Sequence, residues 1–131
     1  MRYLLDTHTL VWFLENDTQL SINAKKLIEL PSNEIFVSTT SLWEIAIKTS
    51  IGKMVNSKSN PDIVQELEEM SIVLLPINHF HISNYHRIPI ISDHKDPFDR
   101  LLIATALTEE LDIITVDEKF LYYKNQVKII W

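Results

Sequence analysis

The chain has 131 residues, 46% of them hydrophobic, enough for one domain (1–131) with a real core and too few for two of ordinary size. It contains no cysteine and a single glycine, Gly52, which excludes disulfides, zinc–thiolate sites and thiol nucleophiles and disfavours glycine-rich phosphate-cradling loops. A formal charge of −6 argues against a broad basic surface for nucleic acid, so a polyanion would have to be met by a metal ion or a small local basic patch.

Residues 2–5 (RYLL) form a short apolar run that ends at Asp6, and THTLVWFLEN then takes on helical spacing. Acids fall where a signal peptide would stay apolar, and no apolar run reaches the roughly 20 residues that span a bilayer. A cytoplasmic chain free of membrane segments is expected. SINAKKLIEL (21–30) reads as a helix opened by a serine and stopped by Pro31. EIFVS (34–38) is a β-rich run, and TTSLWEIAIKTSIGKM carries Leu42, Trp43, Ile45, Ala46 and Ile47 at helical spacing.

The polar stretch VNSKSNPD is the one loop of any size, followed by a helix over IVQELEEM. SIVLLPI (71–77) is expected as the third strand, and HFHISNYHRIPIIS as a helix ending before Pro89. HKDPFDRLLIATA (94–106) opens with two aspartates and turns apolar. Asp96 suits an N-cap, Pro97 the first helical position, and Asp99 the acid position of a capping box. A strand DIITV (112–116), a short helical piece EKFLYYK and a fifth strand VKIIW complete the chain. Short strands alternating with helices predict an α/β fold, a mostly parallel, roughly five-stranded sheet covered on both faces.

In such sheets ligands bind beyond the carboxyl ends of the strands. Asp6 ends the first strand and Asp117 the fourth, while Glu44 and Asp99 fall in the opening turns of two helices. Asp99 reaches the same edge only if its helix docks with its N-terminus there. Carboxylates gathered in one pocket repel unless a cation compensates them, and hard oxygen ligands without Cys suit Mg²⁺ or Mn²⁺. Such a centre generates a nucleophile from water and stabilises an in-line displacement at phosphorus. Each acid also has a local explanation. Ser41 and Glu44 have capping-box spacing, Glu44 stands one turn before Lys48, and Asp6 and Asp117 suit the caps of the helices that follow them. Four acids at consistent topological positions favour the shared site, because separate caps give no reason for two of them to end strands.

Together LLDTHTLVW, SLWEIAIK, HKDPFDRLLIATA and TVDEKF resemble a PIN domain, specifically the toxin ribonucleases of VapBC-type toxin–antitoxin pairs, over essentially the whole chain. The resemblance implies a three-layer αβα sandwich, cleavage of RNA with Mg²⁺ or Mn²⁺, inhibition by a cognate antitoxin protein, and a homodimer. Carried over by motif, the catalytic and metal-binding acids are Asp6, Glu44, Asp99 and Asp117, with Asp96 matching the cap. Thr7 and Thr115 also match, as hydroxyl partners for the acids or for water. The acidic balance is a departure from a strong RNA binder: Lys48, Lys95, Arg100 and Lys119 are the nearest cations available for phosphates. It favours selective cutting of a structured target.

Of the five histidines, His94 is the one placed beside an acid-bearing helix, and it is the candidate partner for those acids. The competing enzyme reading is a phosphoaspartate-type phosphohydrolase or receiver, but His8 stands where the former needs a second aspartate, and only Asp6 stands where the latter needs an acid pair. The competing non-enzymatic reading is a catalytically inactive PIN-like scaffold that binds a partner through Trp12, Phe13, Trp43 and Trp131, aromatics that core packing explains equally.

Overall fold

The computed structural model describes residues 1–55 and 58–131, so Asn56 and Ser57 of the expected loop lie outside the described residues. Five strands, β1 (Arg2–Leu5), β2 (Glu34–Ser38), β3 (Val73–Leu75), β4 (Asp112–Ile114) and β5 (Ile129–Ile130), form one sheet in the order β3-β2-β1-β4-β5. Every pairing is parallel, with Tyr3 opposite Ile35 on one side and opposite Asp112 on the other. The helices are α1 (Thr7–Leu14), α2 (Ile22–Glu29), α3 (Thr39–Ser50), α4 (Asn60–Glu69), α5 (His79–Tyr85) and α6 (Pro97–Glu109), with a 3-10 segment at Glu118–Tyr123.

Alternation along the strands divides the core. Tyr3 and Leu5 of β1, with Ile35, Val37 and Ile114, face a cluster completed by Leu10, Ala24, Ile28, Ile45, Ile63 and Leu67 from α1 to α4. Leu4 and Ile113 point the other way, onto Leu102, Ile103 and Ala106 of α6 and onto Phe120 and Tyr123. Strands buried on both faces read as unbroken apolar runs, which is why RYLL and EIFVS lack polar alternation.

Strands β1, β2 and β3 step outward in one direction. The chain then crosses back through α5 and α6 to lay β4 on the other flank of β1. Strand order therefore reverses between β1 and β4, and the crevice at their carboxyl ends is where an open α/β sheet binds ligands.

Several boundaries differ from the sequence reading. Helix α3 starts at Thr39, because Ser38 caps it by accepting from Thr40 N at 3.0 Å; Ser41 and Glu44 lie inside the helix and form no capping box. Strand β3 spans three residues instead of seven, and β4 stops at Ile114. Helix α4 begins earlier than expected, since Ser59 caps it and Pro61 sits in its first turn. Helix α5 ends at Tyr85, where turn bonds from Arg87 N to Asn84 O and from Ile88 N to Tyr85 O lead out of the helix ahead of Pro89. The EKFLYY segment is 3-10, tightened by Phe120 N donating to Asp117 O.

Leu4 is fully buried at the centre of the sheet. Leu4→Ala is expected to lower unfolding free energy by about 2–5 kcal/mol, read as a reduced urea midpoint at unchanged slope.

Candidate active site

Asp6 follows the last residue of β1 and caps α1, its Oδ1 accepting from Thr9 N at 2.7 Å. Its Oδ2 accepts from the Thr115 hydroxyl, just past the end of β4. Asp6 N itself donates to Ile114 O at 3.3 Å, and Thr9 Oγ1 donates to the same carbonyl at 3.0 Å, so the ends of β1 and β4 are stitched together around this carboxylate. Asp6 is only 4% exposed. Burial pushes its carboxyl above the ordinary 3.8, and the hydroxyl and amide donors offset this only in part.

Thr115 links the second acid to the first. Its hydroxyl accepts from Asp117 N at 3.0 Å while donating to Asp6. The Asp117 carboxylate turns to its own 3-10 segment, accepting from Lys119 N at 3.0 Å. It bonds to none of the other acids among the described residues.

Glu44, in the second turn of α3, is buried as well. Thr7 Oγ1, next to Asp6, donates to Glu44 Oε1 at 2.6 Å and lies 3.0 Å from Ser41 Oγ. Lys48 Nζ sits 2.6 Å from Glu44 Oε2, the one-turn pair that the spacing allowed. Glu44 is therefore already charge-compensated from within α3.

Asp99 is the third residue of α6, and Asp96 caps that helix by accepting from Phe98 N at 2.9 Å and Asp99 N at 3.1 Å. The Asp99 side chain does not return to the Asp96 amide, so the expected capping box does not form; its Oδ2 lies instead 2.9 Å from His94 Nε2. Burial raises the Asp99 carboxyl from 3.8 to about 7, His94 pulls it down, and the charges of Asp96 and Glu44 add to the rise. Burial weakens the Lys48 ammonium, yet the bond to Glu44 and the charges of Glu44, Asp96 and Asp99 outweigh it and lift its pKa above 10.5. Helix α6 thus docks with its N-terminus at the acid-bearing edge, the one step that strand order alone left open.

Bonds accordingly run from Asp117 N through Thr115 to Asp6, and from Thr7 to Glu44, whose charge is felt at Asp99. No three Asp, Glu or His side chains among the described residues stand close enough to form a complete metal cage. Mg²⁺, however, takes one or two carboxylates and fills the rest of its shell with water. Asp6 is buried and Asp99 half-buried, and neither has a Lys or Arg bonded to it among the described residues. Their hard oxygen donors are of the type that Mg²⁺ or Mn²⁺ takes, so the chemistry of the donor set fits such an ion.

Arg100 corrects one expectation. It is buried, and its guanidinium donates to Pro89 O at 2.7 Å, Ile88 O at 3.2 Å and Tyr85 Oη at 3.2 Å, so it is spent on the chain and not on phosphates. Trp12, Phe13 and Trp131 pack partly buried against the first core cluster. Trp43 is 61% exposed and meets Phe98 edge-on at 5.1 Å, at the rim of an apolar pocket of about 260 Å³. Tyr123, which touches His94 Nδ1 at 2.8 Å, had no signal in the sequence, since it lies 29 residues away in an ordinary aromatic stretch.

The raised Asp99 carboxyl fixes the sign of a stability profile. Between 3.8 and about 7 the folded chain binds a proton that the unfolded chain does not, so stability falls as pH rises through that window. Asp6 shifts in the same direction. Metal-free protein is expected to lose melting temperature from pH 5 to pH 8 through these groups, Asp99→Asn to flatten the loss, and added Mn²⁺ to reverse it at pH 8; thermal melts at each pH check this.

The PIN domain family model matches residues 3–125. Among solved structures, DNA-bound VapBC from Salmonella typhimurium superposes with a TM-score of 0.71 at 15% identity, covering 99% of this chain and 97% of that one. VapBC2 from Rickettsia felis, bound to a DNA fragment from its promoter, gives 0.69 at 17% identity, with 100% and 99% covered. VapBC-1 from nontypeable Haemophilus influenzae gives 0.65 at 20% identity, with 99% and 97% covered. Comparison with curated protein sequences finds no match. A family match over nearly the whole length, joined to an all-parallel sheet that gathers acids where strand order reverses, establishes that the chain belongs to the PIN domain family.

Proposed function

We propose that the protein is a divalent-metal-dependent endoribonuclease and the toxin of a VapBC-type toxin–antitoxin pair. The observation that carries this reading is the pair of carboxylates, Asp6 buried and Asp99 half-buried, lacking a bonded Lys or Arg among the described residues at the carboxyl edge of a PIN sheet. Asp6 and Asp99 would hold Mg²⁺ or Mn²⁺ directly, with Asp117 and Glu44 completing the shell through water or a second ion. When bound, the ion offsets the charge of the phosphodiester and acidifies water for attack.

The chain's own residues do the rest. Thr115 and Thr9 N fix both oxygens of Asp6, so that carboxylate enters the reaction already oriented. Thr7 and Lys48 hold Glu44 against the repulsion of Asp99. In-line attack of water leaves a 5′-phosphate and a 3′-hydroxyl. That chemistry does not need the 2′-hydroxyl, so RNA as the substrate rests on the likeness to toxin ribonucleases.

The likeness to VapBC complexes supports a cognate antitoxin as partner; a homodimer and a cytoplasmic setting rest on the motif resemblance to toxin ribonucleases alone. No helix among the described residues is long and apolar enough to cross a membrane. One observation favours the alternative of an inactive PIN scaffold: Lys48 already occupies Glu44, and the acids form no ready cage. The phosphoaspartate alternative has no such support.

Two substitutions separate these readings. Asp6→Asn and Asp99→Asn are each expected to lower Mn²⁺-dependent cleavage of tRNA or rRNA by at least about 100-fold, in line with the loss of a charge-stabilising group, while circular dichroism stays unchanged. Chelation with EDTA is expected to abolish cutting, and Mn²⁺ to restore it. A folded chain freed of any partner that cuts neither tRNA nor rRNA with Mn²⁺, yet still binds its antitoxin, would establish the scaffold instead.

A further inference from the structure

His94 is 4% exposed and sits between two elements that carry proposed site acids. On one side its Nε2 lies 2.9 Å from Asp99 Oδ2, and on the other its Nδ1 lies 2.8 Å from Tyr123 Oη, at the end of the 3-10 segment that Asp117 caps. Beyond the phenol stands Arg100, with Nη1 3.5 Å from Tyr123 Oη. The same guanidinium is anchored to the carbonyls of Ile88 and Pro89 and lies over the Tyr85 ring at 5.0 Å.

Donor rules give this chain of contacts a direction. A guanidinium can only donate, so the Tyr123 oxygen accepts from Arg100. An ionised Asp99 can only accept, so the His94 ring proton sits on Nε2, aimed at Asp99 Oδ2. In the neutral ring Nδ1 is then an acceptor, and the phenolic proton goes to it at 2.8 Å, ahead of His94 O at 3.4 Å. Among the described residues the other Asp99 oxygen, Oδ1, has no hydrogen-bond partner. A carboxylate with one oxygen clamped and the other free is prepared to bind a cation in a single orientation.

We propose that His94 is a positioning residue for Asp99: the directional series Arg100–Tyr123–His94 locks the Nε2–H tautomer, holds Asp99 Oδ2, and presents Oδ1 to the divalent ion. This rests on the reading of Asp99 as a metal-binding acid. Asp96 is held differently: its Oδ1 caps α6 by accepting from the amides of Phe98 and Asp99, and no histidine bonds to it among the described residues. The series also ties the start of α6 to the segment after β4, so the orientation of Asp99 depends on a residue remote in sequence.

The test is Mn²⁺ binding by the full chain, freed of any co-purified partner and followed by electron paramagnetic resonance, with nitrogen-15 shifts of the His94 ring read in parallel. Expected results are the Nε2–H tautomer in the unsubstituted protein, loss of a single tautomer in Tyr123→Phe, and Mn²⁺ affinity about 10- to 100-fold weaker in His94→Leu. His94→Gln, which keeps a donor where Nε2 was, is expected to recover most of that loss, which a purely structural role would not produce. Unchanged affinity in folded His94→Leu, an Nδ1–H or imidazolium signature, or a Gln variant as weak as the Leu variant each overturns the proposal while leaving the nuclease reading in place. Should His94→Leu fail to fold, the tautomer in the unsubstituted protein and in Tyr123→Phe decides it. Absence of Mn²⁺ binding in the unsubstituted protein, or affinity unaffected by Asp99→Asn, overturns both.

Discussion

Parallel pairing of β1 between β2 and β4 is the constraint from which the site follows. It puts every strand's carboxyl end on one edge, and strand order reverses there beside β1, the place where open α/β sheets bind ligands. Asp6 lies at that edge because it is the residue after the central strand. Once buried, it needs donors, and the end of β4 supplies Thr115 while the first turn of α1 supplies Thr9 N. The same carboxylate is a helix cap, a tie between two strands and a charge out of water. Capping and site formation are therefore not competing explanations of this residue; one geometry serves both.

Electrostatics at this edge are divided between two solutions. Glu44 receives its counter-charge from Lys48 on its own helix, while Asp6 and Asp99 receive only polar donors and are pushed toward the neutral form. The difference traces to position. Glu44 lies mid-helix, where a residue one turn on can reach it, whereas Asp6 stands ahead of its helix and Asp99 meets His94 instead of closing a capping box with Asp96. The two aspartates at the head of α6 thus have separate duties: one satisfies the helix, the other faces the histidine.

Most of the fold was legible in the residues. RYLL and EIFVS have the bounds expected, and Ser21, Asp96 and Pro97 mark helix starts as their chemistry dictates. The pairing of Glu44 with Lys48 and the hydroxyl contacts of Thr7 and Thr115 follow from motif positions. What failed is instructive. VSTTS offers several capping hydroxyls in a row, and local preference cannot choose among them; Ser38 wins because β2 ends there. Arg100 stood among the cations that could meet phosphates or simply solvate the surface, because nothing in DRLLIATA reveals that its guanidinium turns inward to the carbonyls of Ile88 and Pro89. Tyr123 was invisible for the same reason, since its partner is fixed by packing on one face of the sheet and not by spacing.

The outer strands of the sheet are very short, three residues in β3 and two in β5. An exposed row of unpaired amides and carbonyls is a template on which other chains polymerise, and its hazard grows with its length. Here that row is almost absent at both flanks, so stacking of copies through continuous cross-molecule ladders has little to build on. Any association of this protein is thereby directed onto its helical faces, where side-chain shape and charge can discriminate one visitor from another.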